Sequence, residues 1–523
     1  MNLLRDQWFP VIRKNGTEEK IAVCQLLDRY HDNPVMAFKT PRPDLRNALY
    51  QLLIGIVHVS AMPEDEEDWE DFFKNPYSAE EFSERLLTYA DCFEINSEGP
   101  AFMQDYDLKD AKENPIFALF IGAPGENTIK ENRDHFIKRR TIEKIDPYWA
   151  AISLYTLQTF APSGGSGHRT SLRGGGPLTT ILIPSQSSTL WQKIWLNVIS
   201  KEETASIPGN FLLNKKENIF PWMKETKSNH KEESELYPKE VHPLHHFFGM
   251  PRRIRLIFSN QKGICDLTGE KCECLVSSFI AKNYGNNYKG VWRHPLNAYS
   301  YNNEPSLLSI KAQPGGVDYR HWLGLAVRSD KITPAEIIRL TRESEDRKSI
   351  IEKYGLSIWA AGFDMDNMKS RCWYESTMPV YPLSTKDAEI VSNFVQILIE
   401  EANKLSKNLR SAVKSAWFSS PKEVKGDMRF LDTAFWQNTE SDFYSILDEK
   451  IGGLKDNALS VRLIDDWGNV LKTEAENLFN ESALAQQEDG IDMKRVISAR
   501  NKLEKKIGRM RNSLKNYRQQ FIS

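Results

Sequence analysis

Apolar residues recur at helical spacing over long stretches of the C-terminal part of the chain, from about Thr385 onwards. A spacing of three and four residues places such side chains on one face of a helix, where neighbouring helices can bury them. Glycines at 452 and 453 and the stretch 486–490 separate some of these segments. The pattern predicts an antiparallel four-helix bundle with helices over 386–417, 421–447, 459–479 and 491–521.

The first 384 residues show a different pattern, in which short strand-like runs and a few helical segments alternate with many proline and glycine turns. Strands are predicted within 11–24, around a turn at Asn15-Gly16, and over 253–258; helices are predicted over 46–60, 79–90 and 149–160, and a mobile loop over 215–240. The fold class is therefore predicted to be α+β. A large mixed domain with irregular sheets and loops, residues 1–384, is followed by the four-helix bundle, residues 385–523.

Composition and charge narrow the class of protein. The net charge is −2, so a nucleic-acid partner would have to be attracted by local basic patches. The chain shows neither a signal peptide nor an apolar run of the ~18 residues that a membrane helix needs. Six cysteines in a chain of 523 residues do not indicate a disulfide scaffold. These features predict a soluble, cytoplasmic protein with no membrane partner.

Residues 161–177 contain six glycines together with His168, Arg169 and Arg173. Glycine lets backbone approach a ligand closely, and successive backbone N–H groups can cradle an anion. With the two arginines, the stretch predicts a contact for a phosphate backbone or a groove; a flexible surface loop is the alternative. A nucleotide-binding phosphate loop would need a Gly-Lys-Ser/Thr ending, which is absent here.

Two further segments combine cations with polar or aromatic side chains. Residues 130–144 carry six cations against three carboxylates, among them Lys138, Arg139, Arg140 and Lys144. Such a loop can neutralise phosphates, or it can be a solvated face. Residues 281–292 interleave Lys282 and Asn283 with tyrosines, which suits groove and sugar–phosphate contacts, although a hairpin would look similar.

A hairpin tip is predicted at Asp366-Asn367, because both residue types tolerate turn geometry. An amide beside Met365 and Met368 could push into a base step as a wedge, whereas the alternative is a simple β-turn over the core. Residues 491–523 hold ten lysines and arginines against two carboxylates. That excess could track nucleic acid, or it could be the solvated face of the last helix.

Cys265, Cys272 and Cys274 are the one candidate metal site. A structural zinc site needs four ligands, usually with cysteine pairs two to four residues apart, and a fourth ligand is not evident in the sequence. Structural zinc is therefore possible, with buried free thiols as the alternative. His242, His245 and His246 lack the carboxylate of a zinc-protease motif and are expected to contribute to packing.

Several motifs, in the same order along the chain, resemble those of one family, the large subunit of the type I-E CRISPR surveillance complex, Cascade. The resemblance covers essentially the whole chain. It rests on the segments Trp8-Phe9-Pro10-Val11, 100–104, 161–175, 249–255 and 362–367, and on the C-terminal helices.

The resemblance implies a non-catalytic subunit that inspects the protospacer-adjacent motif (PAM) of duplex DNA, mainly from the minor groove. The family's glycine loop matches Ser163, Gly164, Gly165, Ser166 and Gly167, with serines at places where glycine can stand in relatives. Its groove lysine falls at Lys282 or, one residue on, at Asn283. Its wedge matches Asp366-Asn367, where Asp366 is a departure and Asn367 is the expected intercalating residue.

The resemblance also implies the partners. They are the backbone and small subunits of Cascade, the 5′ end of the guide RNA, target duplex carrying a PAM, and a separate helicase–nuclease. The basic loop 136–149 resembles a loop that contacts PAM-side DNA and the guide's 5′ end. No cofactor is required for recognition. The alternative function is a nucleotide-binding or phosphoryl-transfer enzyme that uses the glycine-rich loop 163–176.

Overall fold

The structure is a computed structural model. It describes residues 1–123, 141–165, 167–226, 235–301, 307–366, 369–424, 426, 428–484 and 492–522. The chain forms two compact units. One comprises Met1–Ala312 and Thr333–Pro382, and the other comprises Gln313–Ile332 and Leu383–Ser523.

Short strands dominate the first unit. They are β1 (Phe9–Arg13), β2 (Glu18–Ile21), β3 (Val35–Phe38), β4 (Lys112–Pro115), β5 (Thr179–Pro184), β6 (Glu235–Leu236), β7 (Arg253–Ser259), β8 (Gly263–Ile264), β9 (Lys271–Cys272), β10 (Leu275–Lys282), β11 (Asn287–Tyr288), β12 (Tyr299–Tyr301), β13 (Leu307–Ser309), β14 (Ile332–Thr333), β15 (Leu356–Asp366) and β16 (Lys369–Val380).

The helices of the described residues are α1 (Pro43–Ala61), α2 (Glu66–Lys74), α3 (Ala79–Leu87), α4 (Pro147–Phe160), α5 (Leu190–Trp195), α6 (Lys201–Thr204), α7 (Lys216–Ile219), α8 (Trp322–Leu325), α9 (Glu336–Glu343), α10 (Glu345–Tyr354), α11 (Thr385–Trp417), α12 (Arg429–Gly452), α13 (Asn457–Ala483) and α14 (Met493–Ile522). None of them, within the described ranges, combines the length and apolar character that a bilayer crossing requires.

Two helices, α1 and α4, form the centre of the first unit, and most of their residues are buried. Each begins with proline in its first turn, where the missing N–H costs nothing. The carboxylate of Asp146 caps α4 by accepting hydrogen bonds from the backbone N–H groups of Tyr148 (2.8 Å) and Trp149 (3.3 Å). The glycine-rich stretch therefore follows a helix that is fixed at its start and buried along its length.

Two antiparallel sheets carry the candidate site residues. In one, β10 lies between β4 and β7, and in the other, β15 lies between β16 and β5. Asp366 pairs with Lys369, so β15 and β16 form a long antiparallel hairpin. The pairing of the two strands on either side of the predicted tip is thus confirmed, whereas residues 367 and 368 lie outside the described residues.

In the second unit, four long helices, α11 to α14, follow one another along the chain in the predicted order. The predicted start of the second of them at residue 421 is wrong, because α12 begins at Arg429, after a segment that contains Pro421 and Gly426. The stretch Gln313–Ile332 also lies in this unit, although its sequence pattern groups it with the first 384 residues. Tyr319 explains this placement. It is fully buried, stacks on Phe443 at a ring distance of 4.3 Å, and shares a 2.8 Å hydrogen bond with Thr439.

The α+β fold class is confirmed: small antiparallel sheets and helices occur together in the first unit, with helices at the C-terminal end. The predicted turn at Asn15-Gly16 is also confirmed, with Gly16 at φ +84° between β1 and β2. The expectation of a mobile loop over 215–240 is wrong in its first part. Short helix α7 lies there, and Trp222 is fully buried and donates a 2.6 Å hydrogen bond to the carbonyl of Cys92.

Candidate nucleic-acid interface

A cleft of about 420 Å³ in the first unit brings together residues that lie far apart in the sequence. One wall is the glycine-rich loop, another is the end of β10, and a third is the start of β7. Of the predicted site residues, those that line the cleft are Ser163, Gly164, Gly165, Gly167, Lys282 and Asn283. Ser166 lies outside the described residues.

Gly167 joins two of these walls. Its carbonyl accepts a 2.9 Å hydrogen bond from the backbone N–H of Tyr284, and its φ is +80°. A Cβ at this position would lie 2.7 Å from the Cβ of Asn283, closer than two such atoms can approach. Glycine is therefore required here both by backbone conformation and by the close approach of the two loops.

Gly165 is a glycine for which the described residues show no packing requirement. A Cβ added there meets none of their atoms within 4 Å, and its φ is not in the left-handed region. By contrast, a Cβ at Gly164 would lie 2.3 Å from the Cβ of His168. The exposed backbone at Gly165 therefore faces open space at the edge of the cleft.

Arg252 holds the glycine loop in place. Its Nη2 donates a 2.7 Å hydrogen bond to the carbonyl of Pro162, and its Nη1 contacts Nδ1 of His168. Burial lowers the pKa of Arg252 to about 10, and burial together with the Arg252 charge lowers the pKa of His168. A neutral His168 can accept from the guanidinium, so the two side chains are compatible at neutral pH. The sequence does not indicate that Arg252 fixes the glycine loop, because only the fold places residue 252 beside that loop.

The later glycines of the stretch serve packing inside the protein. Gly176 has φ +63°, and a Cβ there would lie 2.9 Å from the carbonyl of Phe363 on β15. The expectation that Arg173 contacts phosphate is wrong, because this side chain is buried. Its guanidinium donates hydrogen bonds to Gln51 (2.6 Å) and Asn297 (2.7 Å), and burial lowers its pKa to about 10.

Lys282 and Asn283 are exposed at the C-terminal end of β10. The strand partner of Lys282 is Arg253, whose guanidinium forms a buried ion pair with Asp105, with Nε 2.7 Å from the carboxylate. Lys282 itself has no ion pair with the described residues. The cleft therefore presents one exposed ammonium beside the glycine loop, whereas Arg253 is neutralised within the protein.

Asp366 lies at the end of β15, exposed, and its carboxylate is 3.4 Å from the guanidinium of Arg371. The same arginine makes two hydrogen bonds, of 3.0 and 2.7 Å, to the buried carboxylate of Asp364. One guanidinium is therefore shared by two carboxylates, and it offsets the charge of Asp366 only in part. Asn367, the expected wedge, lies outside the described residues, so the structure does not place its side chain.

Most of the basic loop also lies outside the described residues, including Lys138, Arg139 and Arg140. Lys144 is described, and its side chain is exposed. Its backbone is fixed, because its N–H donates a 2.9 Å hydrogen bond to Asp266 and its carbonyl accepts one of 2.9 Å from the N–H of the same residue. The loop therefore ends at a rigid anchor.

The three cysteines do not fit a zinc site. Within the described ranges, no group of three or more histidine, cysteine or acidic side chains is placed to hold a metal ion. Cys274 donates to the carbonyl of Ser259 at 2.9 Å, and Cys272 donates to Asp146 at 3.4 Å. Burial and the nearby Asp146 carboxylate raise the pKa of Cys272 to about 12, which favours the thiol over the thiolate that zinc needs. Cys265 is fully buried and its sulfur accepts from the backbone N–H of Asp146.

The glycine-rich stretch does not meet a structural requirement of the alternative function, a nucleotide-binding loop. A phosphate loop leads from a strand into a helix, whose N-terminus receives the phosphates. Here the order is reversed, since the stretch follows helix α4 and leads into strand β5. The three histidines at 242, 245 and 246 are buried, as expected for packing residues.

The family model for CRISPR-associated protein Cse1 matches residues 2–478. Solved structures with a similar fold include Thermus thermophilus CasA (Cse1), at 16% identity and TM-score 0.67 over 98% of each chain. Thermobifida fusca Cse1 is similar at 14% identity and TM-score 0.71, again over 98% of each chain. A chain of a CRISPR RNA-guided surveillance complex matches at 15% identity and TM-score 0.60, over 92% of this chain and 99% of that one. With a family match across most of its length and the same fold, the chain belongs to the Cse1 family and is a Cse1-type large subunit of Cascade.

Proposed function

We propose that this chain is the non-catalytic DNA-recognition subunit of a type I-E Cascade. It reads the PAM of duplex DNA through the minor groove, opens the duplex so that guide RNA can pair, and helps recruit a separate helicase–nuclease. The observation that carries the proposal is the cleft in which the glycine loop, Lys282 and Asn283 lie together.

The chemistry of the cleft suits a minor groove. The open space at Gly165 lets its backbone approach a groove only about 6 Å wide, because no side chain at this position lies between backbone and DNA. The Lys282 ammonium can meet base acceptors or phosphates, and the Asn283 amide can both donate and accept. Because the minor-groove pattern is degenerate, such a reader tolerates several related PAMs.

Strand opening is assigned to the hairpin of β15 and β16. A long, paired hairpin is stiff enough to push its tip into a base step, which costs a few kcal/mol of unstacking. Asn367 is the proposed intercalating residue. Arg371, which also pairs with Asp364, offsets part of the charge of Asp366 and so lessens the repulsion that this carboxylate would exert on DNA.

The proposed partners are the other Cascade subunits, the 5′ end of the guide RNA, and PAM-containing duplex. The similarity to a chain of an RNA-guided surveillance complex supports the first two. Lys138, Arg139, Arg140 and Lys144 are the proposed contacts to PAM-side DNA and guide RNA. We place the protein in the cytoplasm, where Cascade would meet invading DNA.

The test is binding of the reconstituted complex to duplexes with and without a PAM, together with detection of strand opening by a base analogue. Gly165→Asp combined with Asn367→Ala is expected to abolish the PAM-dependent difference in affinity and to prevent opening. Gly452→Asp is the matched charge control, since a Cβ there also meets no atom within 4 Å. An unchanged PAM dependence in the double variant would show that the site is wrongly assigned.

Lys282→Ala is expected to weaken binding to PAM duplex by about fivefold to tenfold, because one charged contact to the groove is lost. The slope of log affinity against log salt should fall by about one if the lysine meets a phosphate. Lys14→Ala is the control, because Lys14 is an exposed lysine in the turn between β1 and β2. Equal effects of the two substitutions would exclude a specific role for Lys282.

A further inference from the structure

A second cleft, of about 830 Å³, lies in the first unit, and none of its lining residues belongs to the recognition cleft. It is bounded by α1, the edge strand β3, the loop 185–188, helix α5 and the half of the β15–β16 hairpin that lies away from its tip. Its volume falls within the range of small-molecule sites, about 300–1,000 Å³. Neither the proposed function nor the family assignment uses this cleft.

Lys193 is the central charge of this cleft. Its Nζ donates a 2.9 Å hydrogen bond to the carbonyl of Met36, a neutral partner. Lys193 has no ion pair among the described residues. Its partial burial lowers the pKa of the ammonium. An ammonium has three donors, so at least one remains for a ligand. A half-buried cation without a carboxylate partner creates a positive potential in the cleft.

Arg46 adds a second cation, which is held rigidly. Its guanidinium lies 4.9 Å from the Trp359 ring centroid and donates at 2.9 Å to each carboxylate oxygen of Glu375. Glu375 is the sole acidic residue among the described residues that line the cleft. Two cations against one carboxylate leave the cleft with a net positive charge.

Two polar atoms of the lining residues are buried. The Oγ of Ser188, a residue 4% exposed, and the Nε of Arg46 have no hydrogen-bond partner among the described residues. Because neither atom is exposed, a ligand in the cleft would meet the Lys193 ammonium and the exposed part of the Arg46 guanidinium instead. Both cations suit an acceptor with negative charge.

We propose that this cleft binds a small oxyanion, a phosphate monoester or a carboxylate, with Lys193 as the pairing cation and Arg46 as the second. Both head groups offer charged oxygens to these two side chains. Because Trp359 and Glu375 belong to β15 and β16, the ligand would sit against the hairpin whose tip is the proposed wedge.

The experiment is calorimetric titration of the full-length chain with inorganic phosphate and, separately, with acetate. Saturable binding of one of them is expected, and the tighter of the two identifies the head group. Lys193→Met should weaken it at least tenfold and Arg46→Gln severalfold, whereas Lys14→Met should leave it unchanged. Should Lys193→Met fail to fold, Lys193→Gln provides the comparison. Absence of saturable binding to the parent chain, or equal affinity of all variants, would overturn the proposal without affecting the PAM assignment.

Discussion

Gly167→Ala is expected to weaken PAM-dependent binding of the assembled complex by at least about tenfold. The substitution forces an L residue to φ +80°, at a cost of about 1–2 kcal/mol, and drives its Cβ to 2.7 Å from the Cβ of Asn283. The glycine loop and the Lys282-Asn283 segment would then have to separate. Because both segments form the proposed groove contact, their relative position sets its affinity.

Substitutions at two other glycines separate backbone strain from loss of DNA contact as causes of weaker binding. Gly16→Ala imposes similar strain at φ +84° with no atom within 4 Å, so it tests the backbone effect alone. Gly165→Ala adds a methyl group at the open edge of the cleft without strain, so it tests contact with DNA while the fold stays intact. Affinity for PAM duplex and thermal stability are measured for all three variants. If Gly167→Ala bound PAM duplex as tightly as Gly16→Ala, the pairing of the two loops would have no part in recognition.

The glycine-rich stretch shows how far sequence can predict this site. Its composition predicts backbone that approaches a ligand closely, whereas the close approaches at Gly167 and Gly176 are to other parts of this chain. Composition could not separate them, since one glycine faces a cleft and the other faces the carbonyl of Phe363. The partner of a close approach belongs to another part of the chain, and only tertiary structure supplies it.

Arg173 illustrates the same limit for charge. It is buried beside Gln51 and Asn297, two polar side chains distant in sequence. Such polar partners carry no charge, so no local pattern of opposite charges indicates that the arginine is internal. The sequence does not single out Arg252 either, because nothing local distinguishes this residue, which fixes the loop, from the arginines at 253 and 255.

Helical periodicity was the most reliable signal, because it depends on local spacing alone. Four C-terminal helices occur in the predicted order, although the second begins at Arg429 and not at residue 421, and Tyr319 and its neighbours join the same unit unpredicted. That short stretch is held by its burial among Phe443, Trp436 and Trp467, with ring distances of 4.3, 5.0 and 6.0 Å. A single aromatic anchor carries no periodic pattern.

Acidification is expected to destabilise the first unit strongly, because its buried histidines are held neutral. Burial lowers the pKa of His58 and His246 to about 4 and that of His245 to about 3, against an ordinary value near 6.5. His58 shows the structural reason. Its Nε2 accepts a 3.0 Å hydrogen bond from the N–H of Ile199 while Nδ1 contacts the carbonyl of Ile54 at 2.8 Å, which is possible only for the neutral ring.

The direction of this pH effect follows from the number of protons that the folded and the unfolded chain bind. Between about pH 6.5 and 4 the unfolded chain binds protons at these histidines and the folded chain does not, so stability falls as the pH falls through this window. Above this pH window the neutral histidines make their full contribution to the free energy of unfolding. For three such groups, the free energy of unfolding should fall by about 3 kcal/mol between roughly pH 6.5 and 5.5. Denaturant unfolding at several pH values measures this loss.

A pair of variants isolates the histidines from the carboxylates that also titrate in acid. His58→Gln removes one titrating ring, so the dependence of unfolding free energy on pH should become less steep by up to one proton, about 1.4 kcal/mol per pH unit. His31→Gln, at an exposed histidine, should leave the slope unchanged. If His58→Gln kept the parent slope, protonation of that buried ring would not be coupled to unfolding. The acid sensitivity of the unit would then have to come from other groups.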